Sequence, residues 1–268
     1  MRWLDGLARR LRPQTQEEEP SVAERMAAAY EAAGRGDYAA ALAIWTPLAH
    51  AGVARAQNNI GACFSEGLGV ERDADLAAKW LAASAASGDP VGQRNLAAAN
   101  FKGEGVAQDY GRAAELYRAA ADAGDAAAQD MLSWMLLEGE VAATDYAGAR
   151  RLAEAAAAQG IAASMTRLGL IFHNALGVER DATAAAQWWE KAAVRGDADG
   201  QAMLGAALHL GSGVARDRVA ALAWLVRARA GGSALADPFL TPARAVLSPD
   251  EAIEAERRST APLPELAS

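Results

Sequence analysis

The chain contains little cysteine, few aromatic residues and no long apolar run. Cys63 is the single cysteine among 268 residues, so no intrachain disulfide can form, which favours a reducing, cytoplasmic location. No segment is long enough and apolar enough to span a bilayer. Aromatic residues amount to 6% whereas hydrophobic residues reach 52%, because alanine dominates. This composition favours thin, closely packed helices.

Clustered positive charge is also lacking. The net charge is −8 at pH 7. Because phosphate binding needs grouped lysine and arginine, this balance argues against a nucleic-acid partner. The negative charge mainly confers solubility.

A 36-residue period runs through the sequence. Six glycines hold it without a slip: Gly52, Gly88, Gly124, Gly160, Gly196 and Gly232. Six aspartates keep the same register: Asp37, Asp73, Asp109, Asp145, Asp181 and Asp217. Each aspartate is followed by an alanine and then by a large apolar residue at fixed distances. Such self-similarity indicates an array of one repeated unit that buries its apolar stripe against its neighbours.

Each unit is predicted to form two helices. The aspartate is placed to cap the start of the second helix, and the boundary glycine can end that helix with a positive φ. Loops such as Gly67-Leu68-Gly69-Val70 would join the two helices. One column of the first helix holds only small residues, which lets helices approach to about 8–10 Å. These residues are Gly61, Ala97, Ser133, Gly169 and Gly205.

Two segments show the unit most fully. They are ARAQNNIGACFSEGLGVERDADLAAKWLAASA from Ala54 and SMTRLGLIFHNALGVERDATAAAQWWEKAA from Ser164. The pattern resembles the Sel1-like repeat, a relative of the tetratricopeptide repeat, and it covers about residues 21–260. The resemblance implies an all-α, right-handed α-solenoid superhelix of stacked antiparallel helix pairs. It also implies a protein that assembles or regulates partners in bacterial-type signalling, envelope or stress pathways.

Three departures from the family pattern bear on local packing. The third unit lacks the second loop glycine, reading Gly139-Glu140-Val141, and the second unit has Asn100 where an aromatic residue is usual. Met165 replaces the glutamine found at Gln57, Gln93, Gln129 and Gln201.

The repeat register predicts five regions. Residues 1–20 form an amphipathic and linker segment, 21–51 a capping helix pair, and 52–231 five repeats (52–87, 88–123, 124–159, 160–195 and 196–231). Residues 232–260 form C-terminal capping helices and 261–268 a disordered tail. Pro238 and Pro242 are expected to interrupt the helix at the start of the C-terminal cap. Ser248, Pro249 and Glu251 predict the start of a final helix that covers the last repeat.

The N-terminal segment has three interpretations. Trp3, Leu4, Leu7 and Leu11 share one face of a possible helix. The stretch lacks the apolar core of a secretory signal. It is therefore a helix that docks on a membrane surface, a helix that docks on a partner, or an end without a role.

The titratable residues offer little for catalysis or metal binding. His173 and His209 occupy one column of adjacent first helices, but further metal ligands are missing and two groove-lining or partly buried side chains are expected. Cys63 is expected to be a small buried residue without a nearby base. No constellation of titratable groups converges, so the sequence predicts a protein that is not an enzyme and has no cofactor. An enzyme of β-lactam or cell-wall chemistry is a remote alternative.

The family resemblance implies that the first helices line a concave groove. The groove-facing positions of the central units are Arg55, Asn58, Arg94, Phe101, Asp130, Trp134, His173 and His209. Mixed aromatic, amide and charged groups suit an extended peptide or a helix. Phe101 could instead turn inward to replace the aromatic missing at Asn100, and Trp134 could belong to the core. The sequence thus predicts a cytoplasmic protein-interaction adaptor, with a peripheral membrane scaffold attached through residues 2–12 as the alternative.

Overall fold

The computed structural model describes residues 20–139 and 144–263, and the regular elements within them are helical. Helix pairs follow one another along the chain: α1 (Val22–Gly34) with α2 (Tyr38–His50), α3 (Ala54–Glu66) with α4 (Ala74–Ala86), α5 (Pro90–Lys102) with α6 (Tyr110–Asp122), α7 (Ala126–Glu138) with α8 (Tyr146–Ala158), α9 (Ala162–His173) with α10 (Ala182–Ala193), and α11 (Ala198–Leu210) with α12 (Arg218–Ala230). A short 3₁₀ turn (Ala234–Ala236) then leads into α13 (Asp237–Ala245) and α14 (Pro249–Thr260).

Consecutive helices pack side by side, so the pairs stack into an α-solenoid. Each first helix packs on the second helix of its own pair and on that of the preceding pair, as α5 does on α6 and α4. The buried residues form a row of clusters along the array and not one central core. Repeats that depend on their neighbours are expected to be organised in this way. The predicted all-α solenoid is confirmed.

The periodic aspartates start the second helices, as predicted. The Asp73 side chain accepts a hydrogen bond from the backbone N–H of Leu76 at 2.9 Å. The same bond starts α2, α6, α8, α10 and α12. The boundary glycines follow the second helices with positive φ, for example +78° at Gly88 and +93° at Gly160. The aspartates therefore act as helix caps, each satisfying a backbone N–H that the helix itself leaves free.

The periodic glutamines tie neighbouring repeats together. Gln201 Nε2 donates to the carbonyl oxygen of Ala193 at 3.1 Å, which joins α11 to the end of α10. Gln57 and Gln129 make the equivalent bonds at the ends of α2 and α6. Met165, which stands in this column in the fourth repeat, is buried in an apolar cluster instead. The glutamine column thus forms an inter-repeat hydrogen bond in the first, third and fifth repeats. Gln93 in the second repeat makes no such bond among the described residues, and the fourth repeat has apolar packing at this position.

We expect Gln201→Ala to lower the free energy of unfolding by about 1–3 kcal/mol, because it removes a hydrogen bond between repeats and the packing of a side chain that is 3% exposed. Urea unfolding followed by circular dichroism at 222 nm measures the change. Gln187→Ala is the matched control, since Gln187 is exposed on α10, and it should stay within about 0.5 kcal/mol of the original chain. Equal losses in the two variants would contradict the assigned role.

The expectation that Pro238 and Pro242 interrupt the helix is wrong, because both lie within α13. Pro238 occupies the first turn, where its missing N–H would have no partner in any case. Pro242 removes one further hydrogen bond. Phe239, Leu240 and Ala243 pack against the apolar side of α12, and this packing holds the short helix in place.

The final helix begins as predicted and covers the last repeat. The Ser248 hydroxyl accepts from the Glu251 N–H at 3.2 Å, and the Glu251 carboxylate accepts from the Ser248 N–H at 2.8 Å. These hydrogen bonds lower the pKa of Glu251. Helix α14 packs on α12 and buries Ala255 in the terminal cluster.

The described helices give no bilayer-spanning segment: none of them combines the necessary length and hydropathy. Residues 1–19 and 264–268 lie outside the described residues, and so do 140–143. The proposed amphipathic helix at residues 2–12, Glu140, Val141 and most of the predicted tail fall there.

Candidate partner-binding surface

The solvent-facing sides of α3, α5, α7, α9 and α11 form one continuous surface, called here the inner surface. Neighbouring first helices contact each other directly at most steps, as α3 does with α5 and α9 with α11. Contacts between neighbouring second helices are less extensive. A stack in which one set of helices approaches more closely bends toward that set. The inner surface therefore lies on the side toward which the array curves.

Two of the predicted groove residues bind the next repeat. Arg55 Nη2 lies 2.7 Å from an Asp89 carboxylate oxygen, and Arg94 Nη1 lies 2.8 Å from one of Asp125. Asp89 and Asp125 also cap α5 and α7, and their side chains are 8% exposed. The hydrogen bond to Asp89 raises the pKa of Arg55. Both arginines thus link consecutive repeats, and an Arg94→Glu change would disturb the stack as well as any partner contact.

Asn58 belongs to a chain of side-chain hydrogen bonds across the first helices. It is 4% exposed, and its Oδ1 accepts from Asn95 Nδ2 at 2.8 Å. Arg94 Nε donates to Asn95 Oδ1 at 3.4 Å, which continues the chain toward Asp125. Asn58 therefore supports the inner surface from beneath, and the more exposed Asn95 is the amide that reaches the surface.

Asp130 joins α7 to the start of α9. Aspartates cap α5, α7 and α11, whereas Ile161 before α9 and Val53 before α3 make no side-chain cap. Asp130 on α7 instead accepts a hydrogen bond from Ser164 in the first turn of α9 and pairs with Arg167. Like the two arginines, Asp130 joins consecutive repeats.

Aromatic side chains meet on the inner surface between the second and third repeats. The Phe101 ring lies 5.1 Å from that of Tyr110 and 5.9 Å from that of Trp134, both edge to face. Phe101 and Trp134 are half-buried against the cluster below them. Asn100 keeps its own inward position, with Nδ2 donating to the Leu96 carbonyl at 2.9 Å. Phe101 therefore does not replace the aromatic missing at Asn100; together with Trp134 it forms an aromatic patch at the surface.

The two histidines are half-buried on the first helices. The His173 ring packs against Trp189 at 5.4 Å. The Nδ1 atoms of His173 and His209 are buried, and neither has a hydrogen-bond partner among the described residues. Within those residues no three His, Cys, Asp or Glu side chains lie together as a metal site requires.

Cys63 lies inside the first repeat. Its side chain is 2% exposed and packs in the cluster formed by α1 to α3. Burial raises the pKa of the Cys63 thiol, so little of the nucleophilic thiolate is present near neutral pH. The prediction of a small buried residue is confirmed.

The repeat boundaries of the fold coincide with those of a known family. The Sel1 repeat model matches residues 54–89, 90–125, 126–161, 162–197 and 198–233. The chain belongs to the Sel1 repeat family. Each Sel1 repeat starts at the first residue of a first helix, two residues after the corresponding boundary glycine.

Among the solved structures that are similar to this chain, a Sel1 repeat protein shows the same fold. A Sel1 repeat protein from Oxalobacter formigenes is 24% identical to this chain and has a TM-score of 0.79. The match covers 90% of this chain and 99% of that protein. A putative Sel1 repeat protein from Klebsiella pneumoniae is 22% identical, covers 75% of this chain and 97% of its own, and has a TM-score of 0.48. A protective antigen of uropathogenic Escherichia coli displaying an SLR fold is 25% identical, covers 88% of this chain and 67% of its own, and has a TM-score of 0.39. A search of curated proteins gave no significant match.

A pocket between the first two Sel1 repeats is the feature that sequence reasoning missed. It lies between α3 and α5, with α4 as its floor, and has a volume of about 210 Å³. Its apolar walls, called here the alanine pocket, are Ala62, Ala77, Ala78, Leu81, Ala98 and Ala99. The sequence contained a signal. The column that holds Ala62 and Ala98 in the first two Sel1 repeats holds the larger Trp134 and Leu170 in the next two.

Proposed function

We propose that this Sel1 repeat protein is a non-enzymatic scaffold that binds an extended peptide or a helix of a partner protein on its inner surface. The aromatic patch of Phe101 and Trp134 carries the proposal. Tryptophan and other aromatic residues supply much of the binding energy at protein interfaces. A cytoplasmic location belongs to the same proposal, because the single cysteine forms no intrachain disulfide.

The proposed binding residues differ in how free they are to meet a partner. Phe101, Trp134, His173 and His209 are half-buried and make no ion pair among the described residues. Arg55, Arg94 and Asp130 already hold neighbouring repeats together, and Asn58 is buried. Binding is therefore proposed to centre on the aromatic patch, with the charged residues fixing the shape of the surface.

Display of random 12-residue peptides tests the proposal. Peptides selected on the full-length protein should bind Trp134→Ala about 30-fold more weakly, the loss expected for removal of a hot spot of about 2 kcal/mol. Trp188→Ala is the matched control, because Trp188 is also half-buried but lies on the second helix α10. Its affinity, measured by fluorescence anisotropy, should remain within about twofold.

Unchanged binding by Trp134→Ala combined with a loss in Trp188→Ala would place the partner on the second helices and refute the proposal. Thermal unfolding of both variants shows whether a change in affinity reflects a change in folding.

A further inference from the structure

The alanine pocket has the size of one aromatic side chain. Its volume is about 210 Å³, and a cavity of about 150 Å³ is enough to hold a benzene ring. Methyl groups of alanines and the side chain of Leu81 offer dispersion contacts. The remaining lining residues are polar or charged: Ser65, Glu66, Asn95, Lys102 and Glu104. A ring of a partner that enters from the inner surface would therefore pack on an apolar wall and lie beside polar groups.

The next Sel1 repeat shows what fills the equivalent space. One period further along the chain, the positions of Ser65, Asn95 and Ala98 hold larger apolar residues. These are Phe101, Met131 and Trp134, and all three are half-buried against the cluster that lies below the inner surface. The equivalent positions thus hold large apolar side chains of the protein itself at one step, where the first helices α5 and α7 lie further apart, and leave an open pocket at the preceding step between α3 and α5.

The geometry points to the alanine pocket as a binding site for an aromatic side chain of a partner peptide. This inference rests on the proposed function and adds the chemistry of the anchor residue. A peptide lying along the inner surface would place its ring between α3 and α5 and its backbone beside Phe101 and Trp134. Asn95 at the pocket wall uses Nδ2 for Asn58, and its Oδ1 has a lone pair left for a peptide N–H.

Charge at the pocket mouth favours a basic residue next to the aromatic one. Glu66 lines the pocket and makes no ion pair within the described residues. Glu104 is paired only at 3.9 Å, with Arg72 and with Lys102. Lys102 also lines the pocket, so two carboxylates and one ammonium group leave a net negative charge at its mouth. A lysine or arginine flanking the aromatic anchor would complement this charge, and the net charge of −8 of the whole chain acts in the same direction.

Two probes test the inference on the full-length chain. The first is N-acetyl-tryptophanamide, with N-acetyl-lysinamide as its control. It should shift the methyl NMR signals of Ala62, Ala98 and Ala99. The second is the set of 12-residue peptides selected by display, which should share an aromatic residue with a nearby lysine or arginine.

Filling the pocket should abolish the NMR shifts caused by N-acetyl-tryptophanamide and weaken the binding of the selected peptides. Ala98→Trp places in the second repeat the side chain that the third repeat has at this position, and we expect peptide affinity to fall at least about tenfold. Ala62→Leu, which copies Leu170, provides an independent filling should the first variant unfold. Ala119→Trp is the matched control, since Ala119 is exposed on α6, and it should bind like the original chain. Glu66→Gln should weaken lysine-containing peptides about threefold to fivefold, the effect of one exposed ion pair.

Three results would overturn the inference. If both filling variants bind the peptides normally while Trp134→Ala does not, the alanine pocket is not the anchor site although the proposed function stands. If the probe shifts no signal of the alanine pocket, the pocket does not accept an aromatic ring. If deletion of residues 1–19 and Trp3→Ala both tighten peptide binding to the same extent, the N-terminal segment of this chain competes for the pocket and the partner assignment is wrong.

Discussion

Gly169→Ser is expected to lower the free energy of unfolding by about 3 kcal/mol, because the added side chain has no space. A Cβ atom at this position would lie 2.1 Å from Nε1 of Trp189. Trp189 is 2% exposed and donates to the Thr166 carbonyl at 3.3 Å, so it cannot move without losing packing and a hydrogen bond. Trp189→Ala alone should cost about 3–5 kcal/mol through the cavity that it leaves.

The double variant should lose much less stability than the sum of the two single losses. Gly169→Ser with Trp189→Ala recreates the pair that the third repeat already contains, Ser133 and Ala153. There the Ser133 hydroxyl donates to the Ala149 carbonyl at 2.8 Å. We expect a total loss of about 4 kcal/mol and a coupling free energy of about 3 kcal/mol.

Urea unfolding of the original chain, both single variants and the double variant measures this coupling. Gly111→Ser is the control, because the atom nearest to where its Cβ would lie is an Asp109 carboxylate oxygen at 3.4 Å. It should stay within about 1 kcal/mol. Additive losses in the double variant would show that the two positions do not pack against each other as described.

Gly213→Ala is expected to destabilise the fold by about 3 kcal/mol or more, since backbone strain and a steric clash add together. Gly213 has a φ of +71°, and a Cβ atom there would lie 1.9 Å from the carbonyl oxygen of Ala182 in the preceding repeat. This carbonyl belongs to the backbone of α10, so the conflict cannot be relieved by rotating a side chain.

Gly88→Ala separates the two causes. Gly88 has a similar φ of +78°, but nothing lies within 4 Å of the position of its Cβ. Its replacement should cost only about 1–2 kcal/mol, the strain of a left-handed alanine. Equal losses at Gly88 and Gly213, measured by urea unfolding, would mean that the close approach to α10 has no energetic weight.

The two glycine positions of the loop between paired helices also differ in why they favour glycine. Ala175 stands in the column of the first loop glycine and adopts a φ of +57°. The second loop glycine is packed against the preceding repeat, as Gly105 is against the carbonyl of Ala74. The sequence marks both columns with glycine, but only the fold distinguishes a conformational requirement from a steric one.

Helix boundaries and pairing could be predicted because they depend on local features. A capping aspartate, a boundary glycine and an apolar period of 3.6 residues act within a few residues of each other. The prediction for the two prolines near the C-terminus is wrong because a non-local interaction outweighs a local one. Their cost is local, whereas the packing of α13 on α12 that outweighs it is not.

The candidate site was predictable only in part. The repeat register placed all eight predicted residues on the first helices. It did not show that Arg55, Arg94 and Asp130 are bound by neighbouring repeats, because their partners lie 31 to 37 residues away in the sequence. It also missed the alanine pocket, since alanine in a helix is indistinguishable from ordinary packing until the facing residues are known.

The sequence by itself determined the repeat, its two helices, their caps and the family, because these depend on local hydrogen bonds and on a period that any unit displays. Only the tertiary structure decided which side chains remain available on the inner surface. Trp134 and Phe101 are half-buried at the surface, whereas Asn58 is buried and Arg94 is paired. The physical reason is that burial and ion pairing across a repeat boundary depend on the side chains of two repeats at once.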